Sequence, residues 1–327
     1  MTYLVTGVAG FIGFHVAQRL LQRGEQVIGL DNLDSYYATA LKQRRLDALK
    51  PHDNAFRFVK CDISDSAALR DAVSDVKITR IVHLAAQAGV RHSIDNPEAY
   101  GRANLTGHLN MLELARHTDA LERMVYASSS SVYGANTKMP FSEDDPVEKP
   151  VSLYAASKRA DELMSVSYSH LYGLPLVGLR FFTVYGPWGR PDMALWKFAR
   201  AITQNRPIPV FNHGRMRRDF TYIDDIVSGV LATVDQVPEI ADDQRHRLYN
   251  IGNNRPEELM HLIACLEREL GREAVKDMLP MQPGDVHETY ADITRISRDY
   301  GFRPTTSLED GVAKFVRWFK DSNAVQY

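Results

Sequence analysis

In YAASK a tyrosine and a lysine stand four residues apart, Tyr154 and Lys158. On a helix such a pair shares one face. An ammonium beside a phenol favours the phenolate, so Tyr154 is a candidate base for a hydroxyl proton. The spacing also occurs by chance on exposed helices, so it needs supporting features. Upstream, TGVAGFIG sets Gly7, Gly10 and Gly13 after an apolar run and at the start of a helix-like stretch. Glycines let the backbone turn sharply and approach a pyrophosphate, whose charge the free helix N–H groups attract. The spacing is G-x-x-G-x-x-G, and a tight strand–helix turn alone would explain it. Asp31 adds the missing context by closing the next strand-like run 18 residues beyond Gly13. A carboxylate there accepts bonds from adenosine ribose hydroxyls and repels a 2′-phosphate, which selects NAD over NADP.

A dinucleotide in this position would also touch Phe11 and Ile12 at the helix start, Asn32 beside Asp31, and Leu84, Ala85 and Ala86 after the fourth strand. Asp62 closes the third strand and Ile63 follows it; Asp62 reads equally as a contact to adenine or as an acid at a helix start. The serine run ASSSSVYG ends the fifth strand, at the edge where doubly wound sheets bind ligands. Ser129 and Ser130 can there bond a sugar hydroxyl and relay a proton to Tyr154; a polar strand end capping a turn is the plainer reading.

The elements that must position these groups are legible as alternation. YLVTG (3–7), QVIGLD (26–31), FRFVKCD (56–62), RIVHLAA (80–86), RMVYAS (123–128) and PLVGLR (175–180) read as buried strands. Helix-like stretches at 13–24, 66–73, 103–117 and 154–173 separate them. This predicts an α/β fold: a doubly wound parallel Rossmann-type sheet with helices on both faces. After Phe181 turns, short strands and helices (194–203, 223–236, 256–270, 308–320) predict a smaller mixed α/β lobe. The expected division is 1–180 for the nucleotide and the Ser/Tyr/Lys groups, and 181–327 mainly for substrate, interleaved with the first. The polar insertion 32–55 is expected to be a loop plus a helix.

Charge and composition exclude several classes. The 327 residues carry a net charge of −2, which gives no global field for nucleic acid or anionic membrane. No apolar run approaches the roughly 18 residues a membrane span needs. The first strand begins at Tyr3, which leaves no room for a signal peptide. The two distant cysteines, Cys61 and Cys265, form no disulfide or metal framework and suit a reducing cytoplasm. His83 lies in an apolar strand and reads as a packed core histidine.

TGVAGFIG, LDNLD, HLAAQAGVR, SSSSVYG, YAASK, RFFTVYGP and RRDFTYIDDI, in this order, resemble the extended short-chain dehydrogenase/reductase family and its nucleotide-sugar epimerases. The resemblance covers essentially the whole chain. It implies Ser129, Tyr154 and Lys158 as catalytic groups, tightly held NAD regenerated each cycle, no metal, and Asn104 supporting the active-site helices. Dehydratases and decarboxylases of the family resemble T-D-E-V-Y-G and T-S-E-V-Y-G at the strand end. Here Ser129, Ser130 and Ser131 fill those slots without a carboxylate, which disfavours elimination.

RFFTVYGPWGRPDMA (180–194) resembles the segment of UDP-glucuronate 4-epimerases, with Thr183 where UDP-galactose 4-epimerases have asparagine. A hydroxyl and an arginine fork match a planar carboxylate, so Thr183 and Arg190 are the candidates for a uronic acid; a solvated loop charge is the alternative for Arg190. The implied reaction is reversible 4-epimerisation of UDP-glucuronate through a 4-keto sugar. A UDP-glucose/galactose 4-epimerase and a UDP-glucuronate decarboxylase are the rivals. GRMRRDF (214–220) resembles the family's diphosphate motif, with Arg218 the nearest match and Arg215 a second candidate. In QPGDV (282–286) Asp285 faces the uridine ribose or a structural partner. Gln87 and Arg91 are placed at the sugar pocket, and Arg91 reads equally as an ion-pair residue. Apolar residues beyond one face in 103–117 and 154–172, among them Leu109, Leu112, Leu163 and Tyr168, suggest a homodimer interface, with sheet cover as the alternative.

Overall fold

The computed structural model describes residues 1–52, 54–238, 245–282 and 285–326. Seven parallel strands form the main sheet: β1 (Thr2–Thr6), β2 (Gln26–Asp31), β3 (Phe56–Lys60), β4 (Arg80–His83), β5 (Arg123–Ser129), β6 (Leu176–Phe181) and, from far along the chain, β10 (His246–Ile251). Their order is β3-β2-β1-β4-β5-β6-β10, with the crossover reversing between β1 and β4. That reversal opens a crevice at the carboxyl ends of the strands.

Alternation along each strand explains why both faces are covered. Tyr3, Val5, Val27 and Val82 face one core, while Leu4, Ile28 and Ile81 face the other. Helices α1 (Phe11–Gln22) and α9 (Ile223–Asp235) cover the first face. On the opposite face lie α3 (Ser66–Val73), α6 (Gly107–Arg116) and α7 (Leu153–Tyr172). The insertion after β2 folds as a loop and α2 (Thr39–Leu49). Two short helices, α4 (His92–Asp95) and α5 (Pro97–Tyr100), run into a π-helical segment, Gly101–Thr106, that leads directly into α6.

The second lobe holds β7 (Thr183–Tyr185), β9 (Arg217–Tyr222) and β11 (Pro256–Glu258) in one small sheet, and β8 (Ile208–Val210) with β12 (Lys276–Met278) in another. Helices α8 (Ala194–Thr203), α10 (Leu259–Leu270), α11 (Thr294–Tyr300) and α12 (Leu308–Asp321) pack around them. The main sheet takes its last strand, β10, and the covering helix α9 from this second half, so the two halves share one core. Leu109 and Leu163 are exposed, but Leu112 is fully buried against the main sheet beside Met111, which corrects its assignment to an outward face. Tyr168 is half-buried and donates to Glu113 at 2.6 Å. No described helix is long and apolar enough to cross a membrane.

Buried histidines set the response to acid. His83 bonds the Thr6 hydroxyl at 2.8 Å and stacks on His108, as a packed core residue does. Burial pushes His83 down to about 3 and His15 and His246 to about 4, and holds His108 well below its usual value. Their folded values lie below the unfolded one, so the stability they contribute is full above about pH 6.5 and is lost as pH falls toward 4. Burial raises Asp161 and Asp219 to about 6, which has the opposite sign: their contribution is full below the unfolded value and is lost as pH rises through 6. Four histidines outweigh two aspartates. The urea midpoint is expected to fall between about pH 7 and pH 5; an unchanged or higher midpoint at pH 5 contradicts this balance.

Candidate active site

A cleft of about 830 Å³ follows the carboxyl ends of the main-sheet strands and is closed on its far side by the second lobe. At its nucleotide end, Gly7 leaves β1 with φ +70°, and a Cβ there would come 2.9 Å from the Ala85 nitrogen. A Cβ on Gly13 would run into the Gly7 carbonyl, so α1 can seat on the loop only with glycine there. Among the described residues no side chain caps the start of α1, and Gly10, Phe11, Ile12 and Gly13 all line the cleft. Such a cradle, with uncapped N–H groups, fits a dinucleotide pyrophosphate.

The Asp31 carboxylate accepts from the Ala9 nitrogen at 3.1 Å and the Leu33 nitrogen at 2.8 Å, which fixes it at the rim of this loop. Asn32 donates to Asp62 at 3.3 Å, and Ser64 bonds Asp62 through both its nitrogen and its hydroxyl. Burial pushes the Asp62 carboxyl up, but these bonds and nearby Arg102 outweigh it and hold it below the usual range. Asp65, not Asp62, caps α3, accepting from Ala67 and Ala68. The helix-start reading of Asp62 therefore passes to Asp65, while Asp62 lines the cleft with Ile63, Leu84, Ala85 and Ala86.

At the chemical end, Ser152 caps α7 by accepting from the Ala155 nitrogen, which places Tyr154 and Lys158 in its first two turns. Both line the cleft, as do Ser129 and Ser130 from the end of β5. Lys158 is buried and donates to the Ala127 carbonyl at 3.0 Å and to Asp161 at 3.1 Å. The Ser129 hydroxyl donates to that of Ser131 at 3.0 Å. Asn104, within the π-helical segment, bonds both the nitrogen and the carbonyl of Gln87 and donates to Ser157 at 2.9 Å. It thereby ties the loop after β4 to the helix that carries Tyr154. Such segments recur at functional sites.

Deeper in the second lobe, Thr183 opens β7 and Arg190 follows the Gly186–Gly189 turn; both line the cleft with Gln87. Arg190 grips Asp192 through Nε at 3.0 Å and Nη2 at 2.5 Å, and Tyr36 donates to the same carboxylate. Burial works against the Arg190 charge, but Asp192 and the neighbouring tyrosines outweigh it and raise its value. The guanidinium thus sits charged and oriented, with donors left over for a second anion.

Along β9 and the residue before it, Met216, Arg218 and Phe220 line the cleft, in step with the strand period of two. Arg215 lies in the opposite phase, exposed and outside the lining. Arg218 donates to Asp285 at 2.7 Å and to the Val286 and His287 carbonyls. Asp285 also faces Arg91 at 3.9 Å, and Arg91, Arg218 and Asp285 all line the cleft. In QPGDV, Pro283 and Gly284 lie outside the described residues.

Sequence reasoning missed Tyr36, Lys42 and Asp192 in the cleft wall. Lys42 is buried, its ammonium 4.9 Å from the Tyr37 ring. For Tyr36 and Lys42 the polar insertion 32–55 was the available signal, since a polar segment folded back beside the glycine loop must line something.

This geometry is matched by known proteins. The chain belongs to the family whose model is described as GDP-mannose 4,6 dehydratase, which matches residues 4–315. It is 47% identical to UDP-glucuronate 4-epimerase 4 of Arabidopsis thaliana over 98% of this chain and 75% of that protein. It is 48% identical to Protein CapI of Staphylococcus aureus over 98% of each chain. The solved UDP-glucuronic acid 4-epimerase of Bacillus cereus, in complex with UDP-glucuronic acid and NAD, superposes with a TM-score of 0.89 at 34% identity, covering 98% of this chain and 100% of that one.

Behind the site, Arg180 and Glu162 form a buried bidentate pair at 2.8 and 3.0 Å, with Ser128 donating to Glu162 at 2.6 Å. Arg180→Met leaves the Glu162 carboxylate buried without its main partner and is expected to cost about 3–5 kcal/mol. Urea denaturation reads the loss; a cost under about 1 kcal/mol, the level of a surface pair, contradicts the assignment.

Proposed function

We propose that this chain interconverts UDP-glucuronate and UDP-galacturonate by reversible 4-epimerisation, with NAD retained through the cycle. The observation that carries the reading is Arg190, charged and oriented in the same cleft as Tyr154, Lys158 and Ser129. Asp31 would hold the adenosine ribose, the glycine loop the pyrophosphate, and Lys158 the nicotinamide ribose. Bound NAD supplies a reversible acceptor for the hydrogen on C4. Tyr154 takes the C4 hydroxyl proton, directly or through Ser129, and returns it after the sugar has turned about its diphosphate linkage. Arg218 faces the diphosphate.

The carboxylate sets a problem that neutral sugars do not. A 4-keto uronic acid is a β-keto acid and loses CO2 when its carboxylate bond aligns with the ketone π system. Thr183 and the free donors of Arg190 hold the carboxylate out of that alignment in both ring poses. The serines at 129–131 offer no carboxylate for elimination.

Activity of the purified holoenzyme, without added NAD, tests this directly. Its kcat/KM for UDP-glucuronate is expected to exceed that for UDP-glucose by about 30-fold or more, the worth of about 2 kcal/mol from a charge-assisted contact. Equal or reversed preference favours a neutral-sugar epimerase. Arg190→Ala is expected to raise KM for UDP-glucuronate and to release UDP-4-keto-pentose and CO2; wild-type behaviour contradicts the carboxylate clamp.

Two coarser readings accompany it. Leu105, Leu109, Leu163 and Val166 are exposed on the paired helical segments 101–116 and 153–172, which supports a two-fold homodimer through this face. Leu163→Glu is expected to halve the mass seen by light scattering; a wild-type chain already monomeric at micromolar concentration contradicts the interface. Cys61 and Cys265 are unpaired and buried, which supports a reducing, cytoplasmic setting.

A further inference from the structure

Arg45 belongs to no motif that sequence reasoning singled out, yet it is completely buried. Among the described residues no carboxylate pairs with it. Its guanidinium instead donates to neutral oxygens. Nη1 reaches the Ala9 carbonyl at 2.8 Å and the Tyr37 hydroxyl at 2.7 Å. Nη2 reaches the Trp188 carbonyl at 2.6 Å and the Gly189 carbonyl at 2.9 Å. A buried cation is costly. What Arg45 offers in return is geometry: a rigid planar fork that holds two separate loops in one register.

The two loops are the ones the chemistry needs to keep in register. Ala9 lies in the glycine loop, and its nitrogen donates to Asp31. Trp188 and Gly189 immediately precede Arg190. Trp188 adopts φ +59°, a region a bulky side chain occupies only when its surroundings force it. His15, on the helix that follows the glycine loop, bonds the Pro187 carbonyl at 2.9 Å. Three successive carbonyls, at 187, 188 and 189, are therefore held by α1 and α2. The turn that presents Arg190 is mounted on the cofactor end of the molecule.

We infer that Arg45 is a positioning residue for carboxylate retention: it registers the Arg190 turn on the glycine loop, so that the sugar carboxylate is held at a fixed angle to the oxidised C4. The inference rests on the uronate reading above and deepens it. When registration fails, the 4-keto sugar loses its carboxylate: the C5–C6 bond breaks, its electron pair moves toward the C4 ketone, CO2 leaves, and C5 takes up a proton. The product is a UDP-4-keto-pentose, and the cofactor stays reduced.

The test counts, among UDP-glucuronate molecules that turn over, the fraction that ends as CO2 plus pentose product. A merely structural Arg45 changes how much active enzyme there is, not this fraction. Arg45→Lys keeps the charge but loses the fork, and is expected to raise the fraction about tenfold, equivalent to about 1.4 kcal/mol. Tyr37→Phe removes one hydroxyl from the network and keeps the fold testable should Arg45→Lys not accumulate; it is expected to shift the fraction the same way by less. The Arg45→Lys/Arg190→Ala double variant is expected to match Arg190→Ala alone, because Arg45 acts through Arg190. A second readout needs no turnover: in a Tyr154→Phe background, calorimetry is expected to show Arg45→Lys weakening UDP-glucuronate binding about tenfold relative to UDP-glucose. If Arg190→Ala releases CO2 while Arg45→Lys and Tyr37→Phe keep the wild-type fraction and the wild-type binding ratio, Arg45 has no positioning role and the clamp stands. If Arg190→Ala itself keeps the wild-type fraction, the uronate clamp fails and this inference falls with it.

Discussion

The buried pair between Arg180 and Glu162 fixes where the reactive end of α7 sits. Glu162 lies one turn beyond Lys158, and Arg180 is the fifth of six residues in β6. Their two-pronged contact, with Ser128 of β5 bonded to the same carboxylate, locks the helix to two adjacent strands. Lys158 then reaches the Ala127 carbonyl, and Asn104 bonds Ser157. A helix held by apolar packing alone can slide by fractions of an ångström; polar contacts of defined direction resist that. Tyr154, at the helix start, inherits this placement.

The parallel sheet was legible in the sequence because strands buried on both faces must be apolar throughout. YLVT, QVIGL and RIVH have no other reasonable place than a covered sheet. β10 was not legible for the same reason: HRLYNI interrupts its apolar run with Arg247 and Asn250. Asn250 is tolerated there because it is fully buried and bonds Tyr133, Phe141 and Asp292, partners far away in sequence. Arg45 and Asp192 escaped notice likewise, since Arg45 binds mainly backbone carbonyls and Asp192 is met by Tyr36 from far away in sequence. Arg215 shows the converse: three arginines in GRMRRDF look alike in sequence, and strand phase decides which one faces the cleft.

The family model carries the description of a dehydratase, yet the strand end here holds serines where elimination chemistry uses carboxylates. Fold and cofactor cradle are shared property, while the reaction is set by a few groups around the sugar. In this chain those groups converge on charge. Arg190 is preoriented by Asp192, and Asp192 by Tyr36, all within the wall of one cleft. An oriented cation that, among the described residues, pairs with a single carboxylate is the feature a neutral sugar would not require.

A label on C4 follows the hydrogen that the reaction moves. UDP-glucuronate carrying deuterium at C4, given to the purified holoenzyme in ordinary water, is followed by proton NMR. UDP-galacturonate is expected with the deuterium still on C4, because the same hydrogen leaves and returns. Loss of the label to solvent, a UDP-pentose as the main product, or no conversion while UDP-glucose is epimerised would contradict it.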